Sequence, residues 1–441
     1  MNIKNISVVV LLATAGALTG ASETVDPLSA PTGKTDWIDP VEAVAVNSHY
    51  VLYPSPSRGE GLMASCMVYL PDCYDQDGDR RFPVIYYLHG GTGNQREGRW
   101  LVRRVHEATG KGEMEPVIIV CPQALPIGWY INANQSDPKV LSGPLEDLIL
   151  KDLIPYIDSR YRTVPTAGGR GVEGFSMGGR GALAFAFGHP DVFGAVSSVA
   201  GAVVDWNEEP LLRALECTFG DADDPFSRRY FDSWHPIGAA CRNSRSVISS
   251  GMDVRMYVGD QDRLYDENGV SITGRFHECL DRLSIPHSYT IVPGAGHDPE
   301  EIFNDSVNKY DTSFWDNAFA PALRVMEAPA GIREFLSSVF PGAEICDVTV
   351  IPDERGDHYD AILSDGSRVR FNEHLNWIKA ETRPALFPDA LLHEGIRGWM
   401  NENPGAAPVV SVEKVPRVGY DVRLYDGSSF LFDTAGRPIR E

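Results

Sequence analysis

A single serine stands in the glycine-rich stretch Gly-Phe-Ser-Met-Gly-Gly, residues 174–179. An apolar run precedes it and a run of helix-forming residues follows it, and a Gly-x-Ser-x-Gly stretch between a strand and a helix is typical of a serine nucleophile. The glycines at 174, 178 and 179 remove side chains that would clash where the chain reverses direction. Free N–H groups and the positive dipole end at the start of the helix suit a developing oxyanion. We therefore predict that Ser176 is a nucleophile, with a structural turn or a helix cap as the alternative.

A serine hydroxyl needs a base, and the base needs an acid that orients it. When the serine lies between a strand and a helix of an α/β sheet, the partners follow it in the order acid and then histidine. The run VRMYVGDQDRL supplies Asp260 and Asp262, and YTIVPGAGHD supplies His297. We predict Asp262 as the acid and His297 as the base, with Asp260 as a turn residue that caps its strand. The remaining candidate bases lie outside the required loop and are interpreted as structural: His89, His189, His277 and His287.

An oxyanion needs two backbone N–H donors. The residue after the serine, Met177, supplies one, and Gly91 in the loop His-Gly-Gly-Thr-Gly after an apolar run supplies the other. Thr92 in the same loop is a candidate substrate contact. Aromatic faces suit both a sugar ring and a phenolic ring, although core packing is an equal alternative for each of the candidates. These candidates are Trp129, Tyr130, Trp206 and Trp234.

The elements that must position these groups are strands alternating with helices. From about Cys66 onward, short apolar runs alternate with longer amphipathic segments such as Pro144–Tyr161. Strands that are apolar throughout are buried on both faces, and their alternation with helices predicts an α/β fold with a mostly parallel sheet and right-handed crossovers. Asp262 and His297 then lie at carboxyl ends of strands, where open α/β sheets place their sites.

The pattern changes after residues 326–331, Met-Glu-Ala-Pro-Ala-Gly, which we interpret as a linker. Tyr359–Lys379 matches Tyr420–Arg440, and Ile332–Ala343 pairs with Ile396–Ala406. Each repeat reads as a helix, a Pro-Gly turn and antiparallel strands joined by an Asp-Gly hairpin. We predict that the two repeats, in residues 331–441, form one small α+β domain after an α/β domain in residues 22–327.

The first 21 residues combine Lys4 with a short apolar stretch and small residues, a pattern typical of a cleaved signal peptide; an uncleaved anchor is the alternative. A formal net charge of −22 without a basic run argues against nucleic acid as a partner. Seven scattered cysteines show no metal-ligand spacing, and their number leaves at least one unpaired within the chain. Residues 75–79, Asp-Gln-Asp-Gly-Asp, lack the glutamate that would complete a calcium loop and are interpreted as a polar turn.

Six stretches together resemble the esterase D and feruloyl-esterase group of α/β-hydrolases, which includes the first carbohydrate-esterase family. They are MVYLPDCY, FPVIYYLHGGTGN, DLIPYIDSRYRT, GFSMGGRGALAFAFGHPDVF, VGDQDRL and GAGHD, within residues 46–325. The resemblance implies Ser176, Asp262 and His297 as a catalytic triad, oxyanion donors at Gly91 and Met177, and neither a metal nor an organic cofactor.

With export, the resemblance favours hydrolysis of feruloyl or acetyl esters on plant polysaccharides by a periplasmic or secreted enzyme. Thioester hydrolysis, siderophore ester hydrolysis and a non-catalytic carbohydrate-binding role are the alternatives, because fold alone does not choose among them. Residues 331–441 resemble the PepSY-like, lactamase-inhibitor-like domains of exported bacterial proteins, through FPGAEI, NPGAAPV and YDVRLYDGSSFLFD. We interpret this region as a binding or structural appendage.

Overall fold

The computed structural model describes residues 37–39, 45–76, 78–125, 128–132, 143–206, 227–265, 269–354, 356–382 and 387–439. The chain divides into two compact units, Met1–Phe319 and Ala320–Glu441. The division falls before the predicted linker, whereas the buried apolar cluster of the second unit begins only at Ala328. The predicted signal peptide, residues 1–21, lies outside the described residues. No helix within the described ranges has the length and apolarity needed to cross a membrane.

The first unit contains a mostly parallel sheet, which confirms the predicted α/β class. Its strands are β1 Ser48–Pro54, β2 Met63–Tyr69, β3 Val84–Leu88, β4 Ile118–Pro122, β5 Arg170–Phe175, β6 Ala195–Val199, β7 Asp253–Gly259 and β8 Ser288–Val292. They lie in the order β1-β2-β4-β3-β5-β6-β7-β8. The pairs from β4 to β8 are parallel, whereas β1 and β2 pair antiparallel at one edge. Every residue of β3 and β4 is buried, as expected for strands covered on both faces.

Helices and short turns connect these strands. They are α1 Arg99–Gly110, α2 Leu145–Asp147, α3 Ile154–Arg160, α4 Met177–Gly188, α5 Arg228–Trp234, α6 Pro236–Ser250 and α7 Gly274–Leu283. Two more helices, α8 Pro299–Ile302 and α9 Ser313–Glu327, follow β8, and the boundary between the two units falls within α9. The single helix predicted for residues 144–161 is α2 and α3 joined by a π-helical segment, Leu148–Leu153. Its apolar face still packs into the core, through Leu145, Leu153 and Ile157.

The second unit confirms the internal repeat. Its elements are α10 Ala330–Val339, β9 Ile345–Ile351, β10 His358–Leu363, β11 Arg368–Phe371, β12 Trp377–Glu381, α11 Glu394–Glu402, β13 Val409–Val415, β14 Gly419–Leu424 and β15 Ser429–Asp433. All seven strands form one antiparallel sheet in the order β15-β14-β13-β12-β11-β10-β9. The two repeats join where Ala380 of β12 pairs with Val412 of β13. One continuous apolar core therefore serves both repeats.

Candidate active site

Ser176 lies directly between β5 and α4, where the tight turn gives it an unusual backbone conformation. Its φ is 55° and its ψ is −114°, a combination that is costly for a residue with a side chain and persists only where the surroundings impose it. The Ser176 N–H donates to the carbonyl of Val199 at the end of β6, at 2.9 Å. Its own carbonyl accepts from Ala202 N–H, also at 2.9 Å. Neighbouring backbone thus holds the serine at the carboxyl edge of the sheet.

Two glycines allow the close approach on which this turn depends. A Cβ on Gly174 would lie 2.2 Å from the carbonyl oxygen of Gly178, and a Cβ on Gly178 would lie 2.0 Å from that of Leu88. Both obstacles are backbone atoms, which cannot rotate away. The start of α4 therefore packs directly against the end of β3.

A continuous hydrogen-bond chain runs from Asp262 through His297 to Ser176. His297 Nδ1 lies 2.7 Å from Asp262 Oδ2, and His297 Nε2 lies 2.8 Å from Ser176 Oγ. The second carboxylate oxygen of Asp262 accepts from Leu264 N–H at 2.8 Å. The side chains of Asp262 and His297 are only 1% and 9% exposed. This geometry allows His297 to take a proton from Ser176 while Asp262 orients the imidazole ring.

Three contacts hold the two loops that carry the acid and the histidine. Asp260 Oδ1 accepts from Gly294 N–H at 2.7 Å, and Glu301 Oε2 accepts from Gly296 N–H at 2.8 Å. Gln261 N–H also donates to the carbonyl of Ala295, at 2.9 Å. Asp260 therefore joins the loop after β7 to the loop after β8, which is more than the local turn role that its position in the sequence predicts.

The two candidate oxyanion donors lie on adjacent segments. Met177 is the first residue of α4, and Gly91 follows the end of β3, against which Gly178 packs. Neither the Gly91 N–H nor the Met177 N–H donates to an acceptor among the residues that the structure describes. Gly91 is exposed, and open space surrounds the position of a Cβ on it. Their role as oxyanion donors stays a prediction.

Glu97 organises the loop that carries Gly91. Its Oε1 accepts from Gly90 N–H at 2.9 Å and from the Tyr87 hydroxyl at 3.2 Å. Burial raises the pKa of Glu97, while these two hydrogen bonds oppose the rise. The sequence pattern does not predict this role of Glu97; its position three residues after Asn94, itself a cap, is the only local signal for it.

His89 supports the same loop from inside the fold. Its Nδ1 lies 2.8 Å from the Gly90 carbonyl oxygen, and its Nε2 lies 3.3 Å from Ala124 N. Burial lowers the pKa of His89. His89 acts as a structural residue, as interpreted from the sequence, because backbone groups of Gly90 and Ala124 lie within hydrogen-bond distance of both ring nitrogens.

Comparison with known proteins identifies the family. The Esterase family model matches residues 63–301, more than half of the chain. The chain belongs to the Esterase family. A second model, for beta-lactamase-inhibitor-like, PepSY-like domains, matches residues 357–440.

Among curated relatives of this esterase, Esterase Rv1288 of Mycobacterium tuberculosis is 37% identical over 257 residues, which cover 52% of this chain and 51% of the relative. The chain thus spans about half the length of that relative. An endo-1,4-beta-xylanase/feruloyl esterase of Xylanibacter ruminicola is 27% identical over 180 residues, covering 38% of this chain and 24% of the relative. A solved ferulic acid esterase superposes with a TM-score of 0.48 and 19% identity, covering 62% of this chain and 99% of that structure.

Two of the aromatic candidates are core residues of the esterase unit. Trp129 is 4% exposed and Tyr130 is 1% exposed, both with positive φ, and both belong to the main apolar cluster. The Tyr130 hydroxyl donates to the His89 carbonyl at 3.0 Å, and its ring fills the space beside Gly181. The cleft-lining role expected of this pair gives way to the core-packing alternative, because the loop turns both rings inward.

The other substrate-binding candidates keep accessible surface. Thr92 is exposed and has a φ of 65° in the loop after β3. Trp206 and Trp234 are half-buried; the first packs edge-on against Phe231 and the second lies beside Tyr230. Their contact with substrate stays a prediction.

Proposed function

We propose that this protein is a serine carboxyl-ester hydrolase in which Ser176 is the nucleophile, His297 the general base and acid, and Asp262 the orienting acid. The observation that carries the proposal is the Asp262–His297–Ser176 hydrogen-bond chain, with distances of 2.7 and 2.8 Å. Membership of the Esterase family supports it.

The proposed reaction has two halves. His297 Nε2 takes the Ser176 proton as Oγ attacks the ester carbonyl, and the N–H groups of Met177 and Gly91 donate to the oxyanion. The tetrahedral intermediate collapses, His297 gives the proton to the departing alcohol, and the acyl group remains on Ser176. His297 then deprotonates a water molecule that attacks the acyl-enzyme, and it returns this proton to Ser176 Oγ as the acyl–Oγ bond breaks and the carboxylic acid leaves.

We further propose that the substrate is a feruloyl or acetyl ester on plant cell-wall polysaccharide and that the protein acts after export. The xylanase/feruloyl esterase relative supports this substrate, and the signal-peptide pattern of residues 1–21 supports export. The reaction needs no metal or organic cofactor, because each proton transfer has a side chain in place.

The first experiment compares the wild type with Ser176→Ala on p-nitrophenyl acetate and methyl ferulate. We expect kcat to fall by about 10⁴-fold or more, since removing a nucleophile of this kind leaves only binding and oxyanion contributions. Circular dichroism provides the control for folding. Turnover within tenfold of the wild type in the folded variant would exclude Ser176 as the nucleophile.

The second experiment addresses the substrate. The wild-type protein is assayed on acetylated xylan, feruloylated arabinoxylan, S-formylglutathione and a siderophore ester. We expect the two polysaccharide esters to give the highest kcat/KM. A higher value for the thioester or the siderophore would overturn the substrate proposal and leave the serine mechanism standing.

A further inference from the structure

Three metal-ligating side chains meet on the first unit away from Ser176. His277 and Asp281 lie one helical turn apart on α7, so their side chains share one face. His287 comes directly before β8. The far end of β8 leads to His297, so His287 lies at the opposite end of this five-residue strand, about 15 Å away along the strand. The cluster is therefore separate from the proposed catalytic site.

The donor atoms of the cluster converge. His277 Nδ1 lies 2.8 Å from His287 Nε2. Asp281 approaches both rings, with its carboxylate oxygens 3.6 Å from His277 Nε2 and 3.8 Å from His287 Nε2. One donor atom from each of the three residues lies within 4.8 Å of the others. The three donor atoms therefore lie close enough for small side-chain movements to bring them onto one cation.

The surroundings hold His287 in the form that binds a metal. Its Nδ1 lies 2.8 Å from the Ile285 carbonyl oxygen, an acceptor only, so Nδ1 carries the hydrogen. Nε2 of a neutral ring then presents its lone pair toward His277 and Asp281. A ligating histidine whose other nitrogen donates to a backbone carbonyl is the usual arrangement in metal sites, because that bond fixes both the tautomer and the ring orientation.

The second histidine is also held in place. The His277 ring stacks on Tyr289, with 4.7 Å between centroids and 19° between planes. The Tyr289 hydroxyl is fixed in turn by Ser271 Oγ at 2.7 Å. The His287 side chain is 6% exposed, whereas that of Asp281 is 62% exposed. The cluster thus has a buried, oriented side and an open side that admits an ion with water ligands.

We propose that His277, Asp281 and His287 bind one divalent transition-metal ion of the zinc type, with solvent completing its coordination. Two imidazole nitrogens and a carboxylate suit Zn²⁺ better than Ca²⁺ or Mg²⁺, which prefer oxygen donors. At Zn–N distances of about 2.0–2.1 Å, a tetrahedral site holds two nitrogens about 3.4 Å apart. The half-buried His277 ring needs to move outward by only about 0.6 Å from its 2.8 Å contact.

The bound ion would join α7 to the start of β8. It would replace the hydrogen bond between the two imidazoles with two metal–nitrogen bonds and would neutralise the exposed Asp281 carboxylate. Because the site lies at the end of the sheet opposite Ser176, the ion takes no part in ester hydrolysis. We expect it to raise the thermal stability of the first unit and to leave turnover unchanged.

The test titrates EDTA-treated full-length protein with Zn²⁺ by isothermal calorimetry. We expect one site in the wild type, an affinity at least 100-fold lower in His287→Ala and about tenfold lower in Asp281→Asn. The His374→Ala variant is the matched control, because His374 is a 76% exposed histidine of the second unit, and its affinity should equal that of the wild type. Binding of Co²⁺ should produce visible d–d bands that His287→Ala lacks.

A second control separates this site from the proposed catalytic histidine. The His297→Ala variant should keep the wild-type Zn²⁺ affinity. In the wild-type protein, one equivalent of Zn²⁺ should raise the melting temperature by several degrees without changing turnover of p-nitrophenyl acetate. No binding at millimolar Zn²⁺, equal affinity in wild type and His287→Ala, or loss of the site in His297→Ala would each overturn the proposal. Asp281→Asn, a change of one exposed surface residue, keeps the test decisive if His287→Ala does not fold.

Discussion

The turns of the two units differ in what their polar side chains bind. In the second unit, Asp365 accepts a hydrogen bond from Ser367 N–H, and Asp426 accepts one from Ser428 N–H, both at 2.9 Å and both two residues along the same turn. In the first unit, Asp262 makes the same local contact, to Leu264 N–H at 2.8 Å, but its other carboxylate oxygen binds His297, 35 residues away, on the loop that follows the next strand. One kind of turn completes itself, and the other depends on a partner from a different segment.

Strand direction explains the difference. Neighbouring strands of an antiparallel sheet can be joined by short hairpins, so the chain after such a turn pairs with the strand before it. A parallel sheet brings the carboxyl ends of several strands to one edge, and loops that are distant in sequence meet there. The first unit can therefore assemble a serine that follows β5, an aspartate that follows β7 and a histidine that follows β8. The second unit repeats one local solution twice.

The largest effect is expected at the close approach of α4 to β3, where segments distant in sequence hold the site of the first unit. In Gly178→Ala the new methyl group meets the Leu88 carbonyl oxygen at 2.0 Å and must push two backbone segments apart. We expect a loss of about 3 kcal/mol or more in unfolding free energy and a fall of about 100-fold or more in kcat, since both oxyanion donors adjoin this contact. Urea unfolding followed by residual esterase activity measures the first, and steady-state kinetics the second.

The control for this change lies at the other end of the same helix. A Cβ on Gly188 meets open space, so Gly188→Ala should leave turnover unchanged and stabilise α4 by about 0.5–1 kcal/mol. Equal effects of the two substitutions would show that the packing of α4 on β3 does not position the site.

The sequence predicted those features of the site that follow from chain order and strand ends. Ser176, Asp262 and His297 each follow an apolar run, so a parallel sheet brings them to one edge without further information. The first strand, β1, was missed because its residues Ser48–Pro54 mix polar and aromatic types and pair antiparallel at the edge of the sheet.

Contacts between loops could not be predicted from the sequence pattern, because they depend on the tertiary structure. Glu97 binds the Gly90 N–H across a tight turn whose shape depends on β3, and nothing in its spacing announces this. The inward direction of Trp129 and Tyr130 follows from two successive positive φ angles, which their residue types do not favour. The sequence favours a structural role for His277 and His287, because only the fold brings their rings together.

A buried histidine of the first unit, His235, and an exposed histidine of the second, His374, allow the pH dependence of stability to be compared. Burial, and to a smaller extent the nearby positive charge of Arg180, lower the pKa of His235 to about 4. The unfolded chain takes up a proton near pH 6.5, so the free energy of unfolding falls as the pH drops from about 6.5 to 4, by up to about 3 kcal/mol. Above pH 6.5 the contribution is complete and constant.

The measurement compares urea midpoints at pH 7 and pH 4.5 for wild type, His235→Gln and His374→Gln. Since His235 accepts from Ile237 N–H and contacts the Val204 carbonyl, its replacement costs stability at both values. We expect the difference in unfolding free energy between pH 7 and pH 4.5 to be smaller in His235→Gln than in the wild type, and to be unchanged in His374→Gln. Equal pH slopes in all three proteins would contradict a buried neutral His235.

Glu97 tests whether a positioning contact in the first unit acts on catalysis. Glu97→Ala removes the acceptor of the Gly90 N–H and frees the loop that carries Gly91, so we expect kcat to fall about tenfold with little change in KM, because the oxyanion contact forms in the transition state. Glu97→Gln keeps an acceptor oxygen and should restore most of the activity. A change confined to KM would assign Glu97 to substrate binding, and Asp360→Ala in the second unit should change neither constant.

The smallest expected effect belongs to the self-contained turns. Asp365→Ala leaves the Ser367 N–H without its acceptor beside a fully buried serine, and a lost hydrogen bond of this kind costs about 0.5–1.5 kcal/mol. Asp365→Asn, whose amide oxygen also accepts, should recover most of it. Tryptophan fluorescence during urea unfolding reports the loss, with turnover of p-nitrophenyl acetate unchanged. If Asp365→Ala lowered turnover as Glu97→Ala is expected to, the second unit would support the site in the first, and the contrast between local and assembled turns would fail.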